Sequence, residues 1–123
     1  MIKARRVFLW GRSEKMEQNV LQELVNGILS VMEEKLVSIV LYGSAARGTS
    51  TKESDVDVAL IMHGILDHKT EDALSDVIVE MNLKYDRVFS VIDIDVERFR
   101  QWEQTVPFYQ NVVRERIVLW EAA

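Results

Sequence analysis

The sequence predicts an α/β (α+β) domain, because apolar stripes at helical spacing alternate along it with β-branched runs, and turn residues fall between them. From Ser13 to about Glu34, Met16, Val20, Leu24 and Ile28 recur with Leu21, Val25, Leu29 and Met32, which predicts a helix with one broad buried face. Leu36 to Tyr42 is apolar and β-branched apart from Ser38, and Gly43 ends it, the pattern of a buried strand. A small-residue segment runs from Gly43 to Ser54. Val56, Val58, Leu60 and Met62 then alternate with Asp55, Asp57, Ala59 and Ile61, the period of two expected of a second strand.

Asp67 can cap a third element, a helix from about Thr70 to Lys84 on which Leu74, Val77, Ile78 and Met81 share a face. Arg87 to Ile94 predicts a third strand and Val96 to Gln104 a helix. Pro107 can open another short helix at its first position, and Ile117 to Trp120 is a terminal apolar segment. If the helix from about Thr70 to Lys84 crosses over, the second and third strands run parallel and begin on one edge of the sheet.

The 123 residues fit a single domain spanning 1–123, large enough to bury roughly two-thirds of its unfolded surface. With 48% apolar and 28% charged residues, one Pro and five Gly, the chain has the composition of a compact soluble protein. The absence of Cys excludes disulfides and thiolate metal sites, and makes the cytoplasm the expected compartment. Val7 to Trp10, after Lys3, Arg5 and Arg6, is too short for the core of a signal peptide, and no segment reaches membrane-spanning length. A formal net charge of -5 argues against non-specific attraction to nucleic acid. Neither a membrane nor a nucleic-acid partner is indicated, and oligomerisation is left open.

The stretch from Leu41 to Asp57 holds the residues with chemical promise. A Gly43-Ser44 pair directly after a buried strand lets the backbone turn sharply and present amide N–H groups and a hydroxyl to phosphate oxygens, although such a pair alone is usually only a turn. Asp55 and Asp57 share a strand face, with α-carbons roughly 6.5 to 7 Å apart, so their carboxylates can converge. Two anions so placed repel unless a cation lies between them, and magnesium favours such oxygens together with substrate phosphates. An isolated Asp-x-Asp usually marks a solvated sheet face. Here its neighbours are apolar, and turn and carboxylates together supply both halves of a metal–triphosphate site.

Two rival motifs fail on the residues. Gly43 to Gly48 has Walker A glycine spacing, but Thr49 stands where the phosphate-binding Lys belongs and Asp55 begins a strand where a helix should run. An EF-hand would need Asn or Asp at position 59 and Gly at 60, which are Ala59 and Leu60. His63 and His68 fall around a predicted loop without Cys or His companions and read as solvated. Trp10, Trp102, Trp120, Phe108 and Tyr109 read as packing of terminal segments, with a partner surface as the alternative.

With Gly43-Ser44, a short spacer and Asp55-Val56-Asp57, the sequence resembles the nucleotidyltransferase superfamily of the DNA polymerase β type. It is also similar to minimal nucleotidyltransferase (MNT) domain proteins in Asn82-Leu-Lys-Tyr-Asp86 and in Pro107 to Glu115, so the likeness runs from about Leu36 onward. It departs from that pattern at Arg116, where relatives commonly carry Gly. The resemblance implies a small mixed β-sheet flanked by helices, Gly43 and Ser44 on the triphosphate of an NTP, and Asp55 and Asp57 on Mg2+. Arg47 reads equally as a phosphate ligand and as a surface charge on the turn. The resemblance implies a third carboxylate from the following strand, for which Asp86 is favoured over Asp93, with Ser90 as the occupant that would leave only two metal ligands.

The activity so implied is transfer of an NMP group, with ATP as the expected donor, to a hydroxyl on a partner molecule. Among similar minimal nucleotidyltransferases the implied partner is a HEPN-domain toxin of a toxin–antitoxin pair, with this chain as antitoxin. A chain of this length leaves little material for an acceptor-binding domain. Two other readings stay open: a catalytically silent nucleotide- or partner-binding regulatory domain, and a purely structural α/β domain.

Overall fold

The first two strands are apolar on both faces, and the fold covers both. The computed structural model describes residues 15–48 and 54–123, with side chains from Gln18 onward. In order, its elements are α1 (Lys15–Met32), β1 (Leu36–Tyr42), α2 (Gly43–Arg47), β2 (Val56–Met62), α3 (His68–Tyr85), β3 (Phe89–Asp95), α4 (Val96–Trp102), α5 (Pro107–Glu115) and β4 (Ile117–Glu121). A 3-10 turn, Glu33–Lys35, joins α1 to β1. The four strands form one mixed sheet in the order β3-β2-β1-β4. β1 lies antiparallel to β2 and β4, whereas β2 and β3 are parallel and are joined by the crossover helix α3.

Each face of the sheet has its own core. Ile39, Leu41, Val58 and Leu60 pack with Leu24 and Ile28 of α1 and Leu74 and Met81 of α3. On the opposite face Val40, Ala59, Ile61 and Ile94 meet Phe99 of α4 and Val112 of α5. The alternation in β2 therefore separates two buried layers, not core from solvent. Asp55 and Asp57 share the parity of Ala59 and Ile61, which assigns them to the α4–α5 side.

Most element boundaries match the sequence reading, and the differences have local causes. Ser13, the expected start of the first helix, lies outside the described residues, as does Trp10. β3 begins at Phe89, two residues after the expected Arg87, because Asn82 organises the connection: its carbonyl accepts from Arg87 N–H at 3.3 Å and its Oδ1 from Phe89 N–H at 2.9 Å. Asp86 closes α3 with φ 51°, a left-handed conformation that Asp adopts more readily than most residues. α4 stops at Trp102, short of the expected Gln104. The terminal apolar segment proves to be a strand, β4, which pairs with the free edge of β1 and buries Leu119 and Trp120.

Pro107 occupies the first turn of α5, where its missing N–H leaves no bond unmade. Asp67 caps α3, its Oδ1 accepting from Thr70 N–H at 2.7 Å while Oδ2 pairs with Lys35 at 3.2 Å. The Thr70 bonds, with Lys35 adding to them, hold the Asp67 carboxyl down at about 2, below its ordinary 3.8. A carboxylate whose folded value is lowered contributes stability above its unfolded value, and that contribution fades as pH falls from about 3.8 towards about 2. Asp67→Ala should therefore lower the thermal midpoint at neutral pH, and the gap from the parent protein should close in melts taken near pH 2.

Candidate active site

β1 leads into a sharp bend at Gly43, whose φ of 74° is in the left-handed region that favours glycine. The bend opens the five-residue helix α2, and Gly48, at φ 76°, closes it. Register pairs Tyr42 with Asp57, so the end of β1 and the start of β2 meet at one point. A Cβ at Gly43 would lie 2.5 Å from Oδ2 of Asp57. The turn backbone thus rests directly on that carboxylate, and any larger residue would displace it. Ser44, the next residue in the turn, is half-buried.

Asp55 is exposed just before β2, and Asp57 is half-buried one strand period later. Burial pushes the Asp57 carboxyl above its ordinary range, and the charge of Asp55 pushes the same way; Arg47 opposes them and Glu115 adds a smaller push upward. Burial and the Asp57 charge likewise raise the Tyr42 hydroxyl. The site accordingly concentrates negative charge beside a backbone bend, an arrangement that a cation relieves.

Glu115, the last residue of α5, completes this cluster and was not foreseen from the sequence. Its Oε1 accepts from the Gly43 N–H at 3.1 Å, and its Oε2 accepts from Nη1 of Arg47 at 2.6 Å. The only sequence signal was its place at the end of the Pro107–Glu115 stretch. A single Glu at a helix end gives no sign of partners 72 and 68 residues away.

The strand beside β2 decides what stands next to Asp57. Ser90 is its register partner, while Asp93 pairs with Leu60 and Asp95 with Met62. Asp93 therefore lies about 10 Å further along the strand. It also has the parity of Phe89 and Val91, which pack on the α1–α3 side. Asp95 accepts from Gly64 N–H at 3.1 Å at that far end. Asp86 precedes β3 by three residues, two before Val88, whose carbonyl accepts from Val56 N–H at 2.8 Å. It is exposed on the edge of the sheet where β2 begins. Among the described residues no group of three or more His, Asp or Glu side chains forms a metal cluster.

The remaining conspicuous side chains lie elsewhere. His63 and His68 are exposed. Trp120 is buried in the α1–α3 core, and Tyr109 packs edge-on against Phe99 and Phe108, with Phe108 against Tyr42. Trp102 and Phe108 keep partly exposed rings. A cleft of about 360 Å³ opens on the α4–α5 side, lined by Val37, Val40, Phe99 and Arg116 among others; it includes none of Gly43, Ser44, Asp55 and Asp57.

The model of a known family, "Polymerase beta, Nucleotidyltransferase", matches residues 26–123. The chain belongs to the polymerase β nucleotidyltransferase family. Within it, the chain is 33% identical over 107 residues to the proposed protein adenylyltransferase MJ0604 of Methanocaldococcus jannaschii, covering 85% of this chain and 98% of that one. It is 32% identical over 73 residues to the similarly named MJ0141 of the same organism, covering 59% and 74%. Among solved structures, a toxin–antitoxin with AMP-PNP shares the fold with a TM-score of 0.58 at 23% identity, over 83% of this chain and 73% of that chain. A mutant of the toxin–antitoxin pair MntA-HpeT gives the same TM-score of 0.58 at 20% identity and the same coverage, 83% and 73%. Like these, the nucleotidyltransferase described here is a mixed sheet flanked by helices. Among its described residues no helix is long and apolar enough to cross a membrane.

Proposed function

We propose that this nucleotidyltransferase, with magnesium, moves AMP from ATP to a hydroxyl of a partner protein: the hydroxyl oxygen, giving up its proton, bonds to the α-phosphorus as the bond to the β-phosphate breaks and pyrophosphate leaves. The observation that carries the reading is the packing of the Gly43 bend on the Asp57 carboxylate, which joins a phosphate-binding turn to an acidic pair. Burial and Asp55 hold the Asp57 carboxyl above its ordinary range, a condition that a divalent ion reverses. Carboxylate oxygens completed by phosphate and water suit magnesium. Asp55 and Asp57 would hold it, with Asp86 the candidate third carboxylate. The bound metal would supply charge stabilisation to the attacking and leaving oxygens. Gly43, whose N–H is held by Glu115, would shape the bend that brings Ser44 onto the triphosphate, the Ser44 hydroxyl would grip its oxygens, and Arg47 would neutralise its charge.

For the acceptor, the relatives supply support. The Methanocaldococcus proteins carry the name protein adenylyltransferase, and the structural neighbours are toxin–antitoxin proteins, one with AMP-PNP. These support a protein acceptor, and with the sequence resemblance they favour a cognate HEPN-domain toxin over a small molecule. The purified chain should be incubated with α-labelled ATP, magnesium and such a partner. Label should appear on the partner, and chelation with EDTA should abolish it. Nucleotide binding without label on any partner would favour a second reading, a silent regulatory domain, for which Ser90 beside Asp57 speaks.

A further inference from the structure

We infer that Glu115 is a positioning residue of the nucleotide site, setting the shape of the Gly43–Arg47 turn and the direction of the Arg47 guanidinium. This rests on the proposed nucleotide binding. A carboxylate on the last residue of α5 faces the negative end of its own helix, an unfavourable place unless other groups offset it. Both offsetting groups come from α2, one from each end. Oε1 takes the backbone N–H of its first residue, Gly43, at 3.1 Å, and Oε2 takes the side chain of its last, Arg47, at 2.6 Å.

A single planar carboxylate thus spans the whole turn. The five residues of α2 are too few to hold a helical conformation on their own, so what packs against them determines their shape. Asp57 supports the turn at Gly43, and Glu115 ties both its ends to α5. Arg47 is half exposed at 50%, whereas Glu115 is only 20% exposed, so the better-buried anion anchors the more exposed cation. One N–H of a five-donor fork is engaged by this bond, and a fork so oriented presents its other donors to a bidentate anion such as phosphate. Without the anchor, the ligand must order the arginine itself, and affinity falls.

Titration calorimetry with AMP-PNP and magnesium tests this on the parent chain, Glu115→Ala, Glu115→Gln, Arg47→Ala and the double variant Arg47→Ala/Glu115→Ala. Glu115→Gln keeps an acceptor for the Gly43 N–H but loses the charge that holds Arg47, and it provides a second reading should Glu115→Ala fail to fold. Both Glu115 variants should bind about tenfold more weakly. Arg47→Ala should weaken binding similarly in the parent but by less than about twofold in the Glu115→Ala background, because the two residues act as one unit. Unchanged affinity in both Glu115 variants, tighter binding in either, or losses that simply add would overturn the inference while leaving the nucleotide site standing. Failure of the parent chain itself to bind would overturn the nucleotide reading, and the inference with it.

Discussion

Asp57→Asn should reduce nucleotidyl transfer by at least about 10³-fold, the scale expected when several kcal/mol of transition-state stabilisation are lost with a carboxylate that holds the metal in the role proposed for Asp57. The same substitution should not unfold the protein. Asp57 is half-buried beside Asp55, and its carboxyl is pushed upward by burial first and that neighbouring charge second. An acid with a raised folded value is stabilising in neither form: the penalty is absent below the ordinary 3.8 and fully expressed once pH exceeds the folded value. At neutral pH the asparagine removes that penalty, so the thermal midpoint should hold or rise, and the difference should vanish in melts below about pH 3.8. Magnesium with nucleotide should raise the midpoint of the parent chain and not of the variant, because only a ligand that binds the native state stabilises it. A variant that loses transfer together with its folded structure would remove this support.

Gly43→Ala should be damaging on both counts. The new methyl group would sit 2.5 Å from Oδ2 of Asp57 while alanine was held at φ 74°. A non-glycine residue in that region costs of order 1 to 3 kcal/mol, and the close approach adds a forced shift of either the turn or the carboxylate. We expect a midpoint lower by about 4 to 15 °C. Transfer should fall further than this destabilisation alone accounts for, because the shift moves the bend proposed to bind phosphate relative to Asp57. Comparing thermal melts with transfer measured well below the midpoint separates the two effects.

The fold was legible wherever a short window carried the information. The stripe from Val20 to Met32 and the run from Leu36 to Tyr42 each announce their own conformation, and they recur as α1 and β1. Asp67 was readable as a cap because its bond to Thr70 spans three residues. Ile117 to Trp120 was readable only as apolar, since what makes it β4 is the open edge of β1, about eighty residues earlier, which no local pattern reveals. The parallel pairing of β2 and β3 followed from the crossover helix, but the register did not. That register sets Ser90 beside Asp57 and turns Asp93 to the other face.

For the site, Gly43 and Asp57 stood out because spacing and residue type both point to the same chemistry. Glu115 did not, because a glutamate gains a role there only when α5 delivers it to the turn. The Thr49 to Glu53 stretch between the turn and the acidic pair lies outside the described residues.

The most direct test is anomalous diffraction at the manganese edge from crystals grown with AMP-PNP and Mn2+. A peak within coordination distance of both the Asp55 and Asp57 carboxylates, with the triphosphate running along Gly43 and Ser44, is the predicted result. Nucleotide bound at another surface, with no peak at these two side chains, would contradict it.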